Sequence, residues 1–225
     1  MTTQTAAMAG THARDDVRPK LRGVLHLAAA LLAPAGLAFL VLQAHAPGGY
    51  VGAAIYGATL IICYGTSATY HLLPWGRTPR AVMRRIDHAM IFALIAGTYT
   101  PFCLVVLGTA WGVTMLSLVW ALGGAGMLMK TLWSSAPRWL GVAAYLVVGW
   151  LALIPSGELV SWFSAPTLAL LIAGGVLYSL GALVYAARRP DPYPRWFGFH
   201  EVFHALVIAG GAIHFALVAF YVLPS

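Results

Sequence analysis

His200 and His204 stand four residues apart. On a helix both imidazoles then project from one face. That spacing lets one helix give two ligands to a tetrahedral metal ion, with a third from elsewhere. His71 is the natural third ligand. Three protein nitrogens leave a position for water, the pattern of a catalytic rather than a structural zinc. Ser67 lies four residues before His71 and shares its face one turn deeper. Asp87 and His88 open another apolar stretch. Helix electrostatics agree in part: His200 and His204 begin a helix, where imidazolium is disfavoured and the nitrogens stay free for metal. His71 ends one, so there a metal must compete with a proton.

Each residue also has a plain structural use. An interfacial histidine can be a polar anchor, Asp87 an N-cap and Ser67 a back-bond to its own helix. An ionisable group costs about 2.5–3.5 kcal/mol at a span centre, so several at one depth call for a shared partner. His200-Glu201-Val202-Phe203-His204 also matches H-E-x-x-H, the zinc-protease pattern with Glu as general base. A protease is disfavoured, because no third ligand follows at a protease spacing. Glu201 also sits about 100° round the helix from His200, facing a neighbouring helix or the headgroups. His12 falls in the N-terminal tail and His45 in a link, while His26 is placed to support the site. His214 lies about 15 Å along its helix from His204, too far to share a metal.

Seven apolar segments carry these residues, at about 22–43, 50–72, 86–107, 111–130, 138–155, 166–186 and 199–222. Each approaches the ~20 residues that cross a bilayer as a helix. An all-α, seven-helix membrane bundle follows, because a backbone in lipid must satisfy its own hydrogen bonds. The 13 Lys and Arg all fall in the tail and in links 73–85, 130–138 and 187–198. Links 44–49, 108–110 and 156–165 hold none. The positive-inside rule then sets the N-terminus in the cytoplasm and the C-terminus outside. It also carries His71, Asp87, His200 and His204 to a similar depth near the cytoplasmic face. Residues 1–19 read as a disordered cytoplasmic tail and 20–223 as one transmembrane domain; the tail has no apolar core, so it is no signal peptide.

With 60% hydrophobic and 8% charged residues, the chain cannot make a soluble surface. The net charge of +7 sits beside spans, so anionic lipid headgroups, not nucleic acid, are its expected partners. Cys63 and Cys103 lie in apolar stretches and read as buried packing. Pro34 and Pro101 should kink their spans, and Gly123-Gly124, Gly174-Gly175 and Gly210-Gly211 suit close helix contacts.

Taken together, Tyr64-Gly-Thr-Ser-Ala-Thr-Tyr-His71, Arg85-Ile-Asp-His88, Ala96-Gly-Thr-Tyr-Thr-Pro101 and His200-Glu-Val-Phe-His204 resemble the hemolysin III family. This is the bacterial branch of the progestin and adipoQ receptor superfamily. Ala136-Pro-Arg-Trp-Leu140 and Ala212-Ile-His-Phe215 resemble it too, and the likeness covers about residues 20–222. The resemblance implies a zinc site near the cytoplasmic face with His71, His200 and His204 as ligands. It assigns Asp87 to hold the metal's water and sets Ser67 beside it. It also points to ceramidase-type hydrolysis of lipid amides. One departure is visible: the Glu and Asn that often open span 1 are missing from Leu21-Arg-Gly-Val-Leu-His26, where only the His remains.

The expected function is a zinc-dependent hydrolase of a membrane lipid amide, located in the cell membrane. Asp87 would take a proton from the attacking water and Ser67 would hydrogen-bond the developing oxyanion. The alternatives are a membrane-disrupting activity, against which the lack of a polar lumen stripe argues, and a receptor or sensor with structural zinc. A transporter is disfavoured, because no charged residue occupies a span centre.

Overall fold

The computed structural model describes residues 19–133 and 135–225. Of the expected tail 1–19, residues 1–18, including His12, lie outside them. The helices are α1 (Val24–Gln43), α2 (Pro47–Leu72), α3 (Arg77–Pro101), α4 (Thr109–Leu132), α5 (Arg138–Gly149), α6 (Ser156–Trp162), α7 (Ala165–Ala187) and α8 (Phe199–Leu217). A π turn, Phe102–Val106, extends α3, and another, Val218–Val222, extends α8. Among the described residues six helices are long and apolar enough to span a bilayer, and the bent α5–α6 pair brings the number to seven when counted as one span. The chain is therefore an all-α, multi-pass membrane protein.

Sequential neighbours pack along their lengths, α1 on α2, α2 on α3, α3 on α4 and α7 on α8, and α8 closes back against α1. Leu40, Tyr56, Phe92, Met115 and Leu217 fill the centre. Leu31, Leu42, Val113 and Leu128 point outward, as helices surrounded by hydrocarbon allow. Gly210 meets the backbone of Gly174, since a Cβ there would lie 3.1 Å from the Gly174 carbonyl oxygen. Here a small residue does allow close approach of two spans. Gly124 has no neighbour within 4 Å of an added Cβ, so the packing expectation fails at that position. Both cysteines are buried and unpaired.

Two features of the third span differ from expectation. The third span begins at Arg77, not 86, because Arg and Met favour helix where the hydrocarbon ends. Pro101 does not simply kink its span. It leads into the π turn, where Leu107 N–H reaches back five residues to Phe102 O at 3.0 Å. Pro34 lies inside an unbroken α1.

The fifth span is not one helix. α5 stops at Gly149, a 3-10 turn covers Leu151–Leu153, and α6 leaves with a 54° bend. Pro155 lacks an N–H and disfavours helix in the residue before it. The Tyr99 hydroxyl bridges the break, donating to Gly149 O at 2.7 Å and accepting from Ala152 N–H at 2.8 Å. Backbone groups released by a break in a membrane need such partners. The link expected at 156–165 thus contains α6.

Alternation of helix direction brings the described Lys and Arg to one end of the bundle. Lys20 N–H donates to Arg195 O at 3.1 Å, Arg85 reaches Thr131 O and Arg138 reaches Tyr185 O. The ends of α2, α3 and α8 that carry the polar cluster lie there too.

Candidate metal centre

α8 starts at Gly198 and places His200 and His204 on one face, one turn apart. α2 ends one residue after His71, so His71 arrives from the opposite direction. The Nε2 atoms of His71 and His200 are 3.1 Å apart. One ligand nitrogen from each of His71, His200 and His204 lies within 4.8 Å of the other two. Bonds of 2.0–2.1 Å in a tetrahedron set ligand nitrogens roughly 3.3 Å apart, so a small closure completes such a site. His204 is 2% exposed, and its Nδ1 is buried without a hydrogen-bond partner. A three-imidazole donor set suits zinc. Of the expected cluster, all three candidate ligands are brought together.

Asp87 and Ser67 flank the triad, both buried. Asp87 Oδ2 is 4.0 Å from His71 Nε2, beyond a hydrogen bond, so the carboxylate stands beside the triad and not within it. Ser67 interacts with Asp87 and also lies 2.7 Å from His26 Nδ1. His26 stacks on His204 with ring centres 3.7 Å apart and planes 12° apart. Its Nε2 is buried without a partner, which favours the proton on Nδ1, where it donates to Ser67 Oγ. That leaves the Ser67 hydroxyl hydrogen for Asp87 or a ligand. Sequence reasoning placed His26 near the site. It could not show the stacking, which depends on how α1 meets α8.

Gly23 explains how α1 begins so close. Its φ of 87° is the left-handed conformation that favours glycine. A Cβ there would lie 2.7 Å from His71 Cβ.

Glu201 does not join the cluster. It is 1% exposed, and its Oε1 accepts from Arg22 Nε at 2.7 Å while Oε2 accepts from Gly198 N–H at 2.8 Å. Both oxygens thus tie down the first turn of the helix that holds two candidate ligands. Asp191 Oδ1 adds a bond from Phe199 N–H at 2.7 Å. The position of Glu201 gives it no general-base geometry, in line with the weak standing of the protease pattern. The signal available in the sequence was its register, roughly a quarter turn from His200.

His88 is turned from the triad, its Nε2 3.2 Å from Tyr185 Oη and its carbonyl accepting from Tyr145 Oη at 2.9 Å. His214 is held by Leu171 O at 3.1 Å. Both line, with Asp87, Ser67, His200 and His204, a cavity of about 340 Å³. Along α3 it runs from Arg84 to Tyr99, about 22 Å at 1.5 Å per residue. Ile91, Leu94, Ile95 and Leu146 make its middle apolar.

The chain matches the family described as Haemolysin-III related over residues 16–215. It is 33% identical over 201 residues to a Bacillus subtilis (strain 168) protein named Hemolysin-3 homolog, covering 88% of this chain and 91% of that one. It is 30% identical over 205 residues to Hemolysin-3 of Bacillus cereus, covering 90% of each. An adiponectin receptor protein of Drosophila melanogaster is 31% identical over 182 residues, 73% of this chain and 40% of the receptor. A seven-crossing helical bundle with these matches over most of its length belongs to the haemolysin-III related family, within the superfamily that includes the adiponectin receptors.

Proposed function

We propose that this chain is a zinc-dependent hydrolase of a membrane lipid amide, with its site near the cytoplasmic face of the cell membrane. One observation carries the reading: His200, His204, Asp87 and Ser67 line one elongated cavity with an apolar middle, and His71 converges on the two histidines. An acyl chain suits that middle, and an amide carbonyl beside the histidines then meets Asp87 and Ser67. His71, His200 and His204 would hold the zinc. When bound, it supplies Lewis-acid polarisation and lowers the pKa of water to about 7.

The remaining chemistry belongs to the chain. Asp87 takes the proton of the attacking water and passes it to the leaving amine. Ser67, oriented by His26, donates a hydrogen bond to the carbonyl oxygen as charge develops there. Arg22 and Glu201 hold the first turn of α8, and with it the spacing of His200 and His204. The apolar cavity wall excludes bulk water and strengthens each of these interactions.

Metal content of the purified, detergent-solubilised protein is the first test, beside a His200→Ala/His204→Ala variant. About one zinc per chain, lost in the variant and accompanied by fatty-acid release from lipid amides, supports the reading. A metal-free wild type prepared without chelator overturns it. A cytolytic activity is the second reading, supported by the names of the two Bacillus relatives. Lysis that survives loss of His71 and His200 would separate it from the histidine site.

A further inference from the structure

The basic end of the cavity carries charges that pair with no carboxylate among the described residues. Arg84, Arg85, Lys130 and Arg138 all line it, and Asp87 is the one carboxylate among the lining residues. The described acids are Asp87, Glu158, Asp191 and Glu201. Glu201 is paired with Arg22, Asp191 caps α8, and Glu158 lies on α6, away from this end. No ion pair involves the four cations among the described residues.

Their remaining contacts are weak. Arg85 Nη1 reaches only Thr131 O at 3.5 Å, and its Nε is buried without a partner. Arg138 lies 5.1 Å over the Tyr185 ring, and Lys130 lies 5.6 Å from the Tyr145 ring centre. Lys130 Nζ occupies the space beside Gly141, where any added Cβ would collide with it. The ammonium is thereby accommodated at the cavity wall. Exposed Arg84 and Trp133 mark this end as the mouth. Other basic residues of the same end, such as Arg77 and Arg80, do not line the cavity. General attraction to anionic bilayers explains those, but it does not explain four cations lining a cavity with an apolar middle.

We propose that Arg84, Arg85, Lys130 and Arg138 form a headgroup site for a phosphomonoester lipid whose acyl chain enters the cavity. A phosphomonoester carries about −1.5 to −2 charge at pH 7, a better match to four cations than a carboxylate. Arginine binds phosphate through two parallel N–H bonds, and an unpaired buried Nε is a donor ready for one. As an account of the substrate class the site rests on the hydrolase reading; binding itself needs no hydrolysis.

The test uses the full chain in phosphatidylcholine nanodiscs. Binding of lysophosphatidate, of monoacylglycerol with the same chain and of inorganic phosphate is followed by native mass spectrometry. Lysophosphatidate should bind at least roughly tenfold tighter than monoacylglycerol, a 1.4 kcal/mol preference. Arg85→Gln/Lys130→Gln should abolish that preference, Lys130→Arg should retain it, and Arg77→Gln/Arg80→Gln should leave it intact. Equal binding of the two lipids, or equal loss in the Arg77/Arg80 variant, overturns the proposal. Displacement by inorganic phosphate alone at similar affinity would assign the cations to free phosphate and overturn the lipid assignment. His200→Ala/His204→Ala should keep the preference, so failure of the hydrolase reading and failure of this site remain distinct.

Discussion

Two buried carboxylates face the same end of this bundle and have opposite surroundings. Glu201 accepts from Arg22 at 2.7 Å and from a helix N-terminus at 2.8 Å. Asp87 has no arginine or lysine partner among the described residues; its nearest basic group is His71 at 4.0 Å. A carboxylate whose charge is fully matched fixes geometry and has little left to do. One placed beside three imidazoles and a hydroxyl, without a matched cation, keeps its proton affinity available for chemistry. The H-E-x-x-H match points to Glu201, yet its register and the missing downstream ligand already set it behind Asp87.

The sharpest break of that comparison removes what Asp87 is proposed to serve. His200→Ala/His204→Ala should abolish zinc binding and reduce amide hydrolysis to background, read by metal analysis and fatty-acid release. Asp87→Asn should keep the metal and the fold yet lower kcat by roughly 10²–10⁴-fold, the range for loss of a general base. Glu201→Gln should behave in the opposite way. Breaking a buried ion pair costs about 3 kcal/mol, so thermal unfolding in detergent should shift down while the turnover of the folded fraction falls far less. An Asp87→Asn variant that merely unfolds, or a Glu201→Gln variant that is stable but inert, would reverse the two assignments.

Smaller effects refine the same contrast. Ser67→Ala should lower kcat by about tenfold or more with little change in KM, as expected when a hydrogen bond strengthens only in the transition state. Tyr99→Phe, far from both carboxylates, should cost about 1–3 kcal/mol of stability by leaving Gly149 O and Ala152 N–H unpaired. Hydrolysis per folded molecule should stay near wild type. A larger loss of activity than of stability there would mean that the broken fifth span takes part in substrate access.

Much of the site was legible in the residue order because it depends on local periodicity. Four-residue spacing puts His200 and His204 on one face wherever that helix lies, and the alternation of basic links brings His71 and Asp87 to the same end. The Ser67 register follows from the same rule. Legibility failed where hydropathy and helix formation part company. Arg77–Arg85 is helical though charged, and Leu151–Pro155 is apolar though not α-helical. Hydropathy reports what lipid tolerates, whereas Pro155 and the Tyr99 hydroxyl decide whether the backbone can leave the helix.

The amino-acid sequence by itself determined the seven apolar segments, the all-helical class, the basic end and the candidate ligands, because each follows from composition or from a period along one chain. Only the tertiary structure decided which groups meet. It stacked His26 on His204, joined Arg22 to Glu201 across 179 positions of sequence, and left four cavity cations without a carboxylate partner among the described residues. Those outcomes depend on the rotation and depth of one helix against another. Side-chain packing sets both, and a repeat of 3.6 residues carries no information about the neighbouring helix.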